Sequence, residues 1–129
     1  WTHACGLATD GAAYCWGNWG DSTGDKSGST PVRAAPGLTF TDISVADEYA
    51  CALTAAGSVY CWGYYDPDWS DETDGSFVGP TQLAQPQYWG AVSYTSISAG
   101  HRASCGITSG GLVFCWDFLR APVHLRGTG

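Results

Sequence analysis

Residues 49–63 read YACALTAAGSVYCWG. The same pattern returns as HACGLATDGAAYCWG at 3–17 and as ASCGITSGGLVFCWD at 103–117. In each copy two cysteines stand ten positions apart, a small residue and an aliphatic one follow the first, and an aromatic-Cys pair followed by Trp closes the unit. All six cysteines of the chain fall at these positions, so the sequence is an internal repeat. Folded as an antiparallel hairpin, the middle copy sets Cys51 opposite Cys61, Leu53 opposite Val59 and Thr54 opposite Ser58. Ala55, Ala56 and Gly57 are left as a three-residue loop, a type I turn followed by a left-handed residue. Glycine holds that last position in all three copies (Gly11, Gly57, Gly111), and only glycine takes positive φ without a steric penalty. The register predicts disulfides Cys5–Cys15, Cys51–Cys61 and Cys105–Cys115, because directly opposed residues bring their Cβ atoms to about 4 Å.

Composition agrees with an all-β class. Glycine, serine, threonine and aromatics dominate the 129 residues, and leucine-rich helical periodicity is absent. Six cysteines committed to hairpins imply an oxidising compartment, outside the cell or in a periplasm, and the chain is read as a secreted, extracellular or cell-surface protein. Thiolate metal sites need closely spaced ligands such as C-x-x-C, and the chain has none. A net charge of −7 and a single lysine, Lys26, argue against nucleic acid as a partner. No apolar run reaches the roughly 20 residues of a membrane-spanning helix.

Around the hairpins the chain is punctuated regularly. Residues 18–30 are polar and glycine-rich and read as a loop, followed by a short extended piece at Pro31-Val32 and a turn at Pro36-Gly37. Residues 40–46, FTDISVA, read as a strand feeding the second hairpin, and residues 94–99, YTSISA, as its echo before the third. Residues 64–79 read as the longest loop, followed by an extended PTQL from Pro80. The expectation is one domain, 1–129, of three repeats: 1–39, 40–92 and 93–129. Along the middle hairpin one face carries the disulfide with Leu53 and Val59, the other Ala52, Tyr60 and Trp62. Both faces are apolar, so each sheet is expected to be covered on both sides, as in sheets stacked around a propeller axis. The small residue after the first cysteine (Gly6, Ala52, Gly106) is expected to make room for Tyr14, Tyr60 or Phe114 opposite.

The pattern I-S, then C-A-L-T-x-x-G-x-V-Y-C-W-G, then a Gly/Asp-rich loop and T-P-V resembles the RCC1-type repeat in its secreted, disulfide-bearing bacterial form. Residues 40–63 carry the likeness most fully. Asn18, Gly20, Asp21, Thr30, Pro31 and Val32 follow the family's loop loosely, and His3 stands two places before its cysteine. The resemblance implies seven-bladed propellers used as interaction scaffolds, among them a secreted β-lactamase inhibitor and a chromatin-bound nucleotide-exchange factor. Three repeats make an open ring. No counterpart of FTDISVA precedes the first hairpin and none follows the third, so the outer sheets are expected to meet a partner: further repeats of a longer chain, or a second copy in a ring or filament.

Candidate interaction residues follow. Trp19, Tyr64, Tyr65, Trp69 and Phe77 fall in the variable loops, and Trp and Tyr are enriched at binding hot spots. Arg102, Arg120 and Arg126 give the C-terminal part a basic character against an acidic middle, a pairing that suits head-to-tail contact between copies. Asp66, Asp68, Asp71, Glu72 and Asp74 crowd ahead of Gly75, an oxygen-rich run of the kind that suits Ca²⁺ but without the full EF-hand pattern. His3, His101 and His124 are scattered, no cysteine remains as a nucleophile, and no acid, base and nucleophile converge. The sequence therefore reads as a non-catalytic extracellular module that self-associates. The alternative is part of a complete propeller that binds a protein or glycan through its loops. A polysaccharide-active enzyme is the weakest reading.

Overall fold

Each pair of cysteines closes at the register read from its spacing. A computed structural model describes residues 3–17, 28–46, 49–65, 76–86, 92–99, 103–117 and 122–124. Cys5 pairs with Cys15, Cys51 with Cys61 and Cys105 with Cys115 across antiparallel ladders, with Cα–Cα distances of 4.1, 4.1 and 4.0 Å. All three disulfides are formed. The turn glycines Gly11, Gly57 and Gly111 have φ of 87°, 90° and 87°, the left-handed geometry that closes a three-residue loop.

The described residues form eleven strands in three antiparallel sheets, and no helix. The first sheet is β1 (His3–Leu7), β2 (Ala13–Gly17) and β3 (Gly28–Ala34). The second is β4 (Asp42–Val45), β5 (Tyr49–Leu53), β6 (Val59–Tyr65) and β7 (Ser76–Gln82). The third is β8 (Tyr94–Ala99), β9 (Ser104–Thr108), β10 (Val113–Trp116) and β11 (Val123–His124). In the second and third sheets a lead strand (β4, β8) flanks the disulfide hairpin on one side, and on the other lies a strand that contains a proline (Pro80 in β7) or directly follows one (Pro122 before β11). Prolines 80 and 31 lie at or beside irregularities in edge strands, the one sheet setting in which a missing N–H costs little.

The sheets stack face to face in chain order and share two cores. Ala13, Cys15, Ala34 and Ala35 of the first repeat, with Cys5 and Leu7, pack on Phe40, Ala50, Ala52 and Trp62 of the second. Cys51, Leu53, Val59, Cys61 and Leu83 of the second pack on Tyr94, Ile97, Phe114 and Trp116 of the third. Every residue of β5 is buried, as both-sided cover requires. Burial of a Leu or Val side chain at such a junction contributes about 1.5–3 kcal/mol.

Three features depart from the sequence reading. The long middle loop is shorter than residues 64–79: β6 runs on through Tyr65 and β7 starts at Ser76, with Tyr64 paired to Phe77 and Tyr65 to Ser76. The polar stretch 18–30 likewise yields its last residues to β3, where Gly28 pairs with Gly17. In the first two copies the glycine after CW ends a register shift (Cys15 to Gly17, Cys61 to Gly63), and Gly63 has φ of 143°. That is glycine's use at a bulge. The third copy has Asp117 in its place, and β10 stops at Trp116. Finally, a Cβ at Gly106 would meet the ring of Tyr94 at 2.6 Å and that of Trp116 at 3.2 Å, so the nearest groups the small residue makes room for are the lead-strand aromatic and the motif tryptophan, ahead of Phe114 opposite.

Candidate interaction surfaces

Alternation along β5, β6 and their counterparts gives every hairpin a cystine face and an aromatic face. Two junctions show how these faces are used. At each one the cystine face of one sheet meets the aromatic face of the next. The junctions share a backbone bond too. The amide of Phe40 donates to the Gly11 carbonyl at 2.8 Å, and the amide of Tyr94 donates to the Gly57 carbonyl at 3.0 Å. An equivalent amide at the entry to each lead strand, two residues ahead of β4 and at the first residue of β8, thus fastens to the hairpin turn of the sheet before it.

Side-chain contacts add specificity at the second junction. Tyr49 Oη and Ser104 Oγ lie 3.0 Å apart in a buried hydrogen bond, and the amide of Ile97 reaches Asp42 Oδ2 at 3.5 Å. Tyr94 stacks edge-on against Phe114 and lies tilted against Trp116. Its hydroxyl is buried with no hydrogen-bond partner among the described residues. Burial pushes its pKa from 10.0 up to about 12, since the phenolate cannot be solvated there.

The third sheet repeats the cystine face, but it is open. Ile107 is 45% exposed, whereas Leu53, its equivalent, is 2% exposed. Cys105, Val113 and Cys115 are half-buried, while Cys51, Val59 and Cys61 are buried. Val123, paired with Cys115, is 70% exposed and extends the apolar strip. A Cβ at Gly57 would meet Ser93 at 2.7 Å, but at Gly111 nothing among the described residues lies within 4 Å. On the first sheet the aromatic face is half-buried at Ala4, Gly6, Tyr14 and Trp16. Sequence reasoning predicted open outer sheets but did not single out Ile107 or Val123; the hydrophobic match of Ile107 to the buried Leu53 was the available signal.

Of the residues singled out from sequence, Tyr64, Tyr65 and Phe77 lie on paired strands at the foot of segment 66–75, a correction to their assignment as loop residues. Trp19, Trp69, Arg102, Arg120, Arg126 and the carboxylates Asp66, Asp68, Asp71, Glu72 and Asp74 lie outside the described residues. Among the described residues no three His, Cys, Asp or Glu side chains gather as a metal site, and no helix is long and apolar enough to cross a membrane.

Neither a protein-family model nor a curated protein sequence matches the chain. Solved structures do. Human WBSCR16 superposes with a TM-score of 0.74 at 16% identity, over 98% of this chain and 36% of that one. Prp20p from Saccharomyces cerevisiae, the yeast RCC1, gives a TM-score of 0.72 at 19% identity, again over 98% and 36%. The ectodomain of the Physcomitrella patens receptor kinase CR4 gives 0.56 at 24% identity, over 89% of this chain and 27% of that one. The chain spans about a third of the length of the first two. The fold is therefore that of RCC1-like propeller blades, three of them in an open arc.

Proposed function

We propose that this set of RCC1-like blades is a non-catalytic interaction module that works outside the cell and associates with itself through its apolar sheet faces. The observation that carries the reading is the contrast between Ile107 and Leu53: the same position on the same face is 45% exposed in the third sheet and 2% exposed in the second. Burying such a side chain contributes about 1.5–3 kcal/mol, which favours association over leaving the strip in water. The fold neighbours support a protein-binding role. Prp20p is described with its binding to Gsp1p and histones, and yeast RCC1 is found bound to Kap60. The three disulfides support an oxidising compartment, and the likeness to a plant receptor ectodomain is in keeping with it.

Light scattering over a concentration series tests the self-association. A mass that climbs above 13.6 kDa with concentration is expected, and one fixed at that value contradicts it. Thiol labelling of native material tests the compartment, with no labelling expected.

A second reading is favoured by the Tyr64–Phe77 pairing, which sets two aromatic residues side by side at the foot of the 66–75 segment. On this reading a protein or glycan ligand is held at the loop end of the blades, where Trp19 and Trp69 also fall in sequence. Tyr64→Ala with Phe77→Ala then abolishes ligand capture while leaving self-association intact.

A further inference from the structure

The two junctions inside the chain are built to one plan. A cystine face covers an aromatic face, and a turn-glycine carbonyl takes an amide at the entry to the next lead strand. The third sheet offers the donor half of that plan once more. Cys105, Ile107, Val113 and Cys115 repeat Cys51, Leu53, Val59 and Cys61 position for position, and Gly111 repeats Gly57 in φ with no described residue within 4 Å of its would-be Cβ. The first sheet offers the acceptor half. Ala4, Gly6, Tyr14 and Trp16 stand where Ala50, Ala52, Tyr60 and Trp62 receive the first cystine face. At Gly106 the hollow left by the missing side chain is filled by the Tyr94 ring, whereas at Gly6, among the described residues, only Trp16 comes within 4 Å, at 3.9 Å.

We propose that a second copy of this chain docks the aromatic face of its first sheet onto the cystine face of the third, head to tail. The inference rests on the self-association reading and adds which two faces meet. The hollow beside Gly6 takes an apolar side chain of the other copy, with Ile107 placed at the position its buried equivalent Leu53 holds at the second junction. Small residues at 4 and 6 allow close approach, as Ala50 and Ala52 do inside the chain. The contact is heterologous, so a docked pair still carries one free face of each kind, the aromatic face on one copy and the cystine face on the other. Assembly then closes as a ring or continues as a filament, according to the rotation at each step.

The test uses two variants of the 129-residue chain, Ile107→Asp and Gly6→Glu, each compared with wild type by circular dichroism for retained fold and by sedimentation velocity for mass. Ile107→Asp spoils only the cystine face and Gly6→Glu only the aromatic face. Each alone is expected to sediment as a monomer, and an equimolar mixture as a heterodimer that grows no further, because the intact faces of the two variants are complementary. If wild type associates but the mixture yields no heterodimer, the head-to-tail pairing is overturned while self-association stands. If Gly6→Glu still dimerises alone, the interface is cystine face to cystine face and the proposal also falls. If concentrated wild type stays monomeric, both readings fall together. Should either variant lose its fold, Val123→Asp and Tyr14→Lys serve as the same pair with the same expected outcomes.

Discussion

Tyr49 and Ser104 share a buried hydrogen bond of 3.0 Å that runs from the second sheet to the third. In the second sheet the position equivalent to Ser104 is Ala50, so this polar contact belongs to one junction and not to the repeat as such. Tyr49→Phe strands a buried serine hydroxyl and is expected to cost about 1–3 kcal/mol. Ser104→Ala should cost a similar amount, and the double variant less than the sum. Urea unfolding of the four proteins measures this coupling, and strict additivity would mean that the bond contributes nothing.

The disulfides should open in a fixed order. Cys51 and Cys61 are both 0% exposed, whereas Cys105 and Cys115 are half-buried on the open face. Limited reduction followed by alkylation and peptide mass mapping is expected to find Cys105 and Cys115 labelled first and the middle pair last. Replacing both Cys51 and Cys61 by serine should cost about 2–4 kcal/mol, since the cross-link restrains the unfolded chain.

Gly57 and Gly111 separate backbone strain from packing. Both have positive φ, so alanine at either position costs about 1–2 kcal/mol in conformation. Only at Gly57 would the new Cβ run into Ser93, at 2.7 Å. Gly57→Ala is therefore expected to lose a further 1–3 kcal/mol or so relative to Gly111→Ala. Thermal melts of the two variants read the difference directly, and equal melting temperatures would mean that the Gly57 turn is not wedged against the third repeat.

Alkaline pH should loosen the second junction. Tyr94 is protonated in the folded chain up to about pH 12 but only up to its ordinary 10.0 in the unfolded one. Between those values the folded state binds more protons, so this tyrosine's contribution is whole below pH 10 and declines as pH rises through the window. Tyr94→Phe removes that decline and a buried hydroxyl without a partner among the described residues. It is expected to be at least as stable as wild type at neutral pH, with a flatter alkaline limb in pH-dependent unfolding.

The hairpins were legible because three copies of one spacing agree. A glycine at each third turn position admits one register, and that register sets each cysteine opposite its partner. Cover on both sides was legible for a similar reason, as Leu53 and Trp62 point to opposite faces and neither tolerates water. The bulges were not. Phe40 and Ile43 are three apart and share one core, as do Tyr94 and Ile97, which strict alternation forbids; in β8 a register shift between Tyr94 and Ser96 absorbs the extra residue. The extension of β6 to Tyr65 was hidden by its acidic, proline-bearing continuation, which reads as loop. Ala35, buried with φ of 51°, had no signal at all, since that geometry normally selects glycine or asparagine. The candidate surface was half legible: the sequence pointed to open outer sheets, but exposure at Ile107 depends on what the third sheet does not meet.

Hydrogen exchange of the wild-type chain at low and high concentration tests the central claim most directly. Amides of residues 105–115 and 4–16 are expected to gain protection as concentration rises, while those of β5, covered on both faces already, stay constant. Protection that is independent of concentration at both faces, or that grows elsewhere instead, would contradict it.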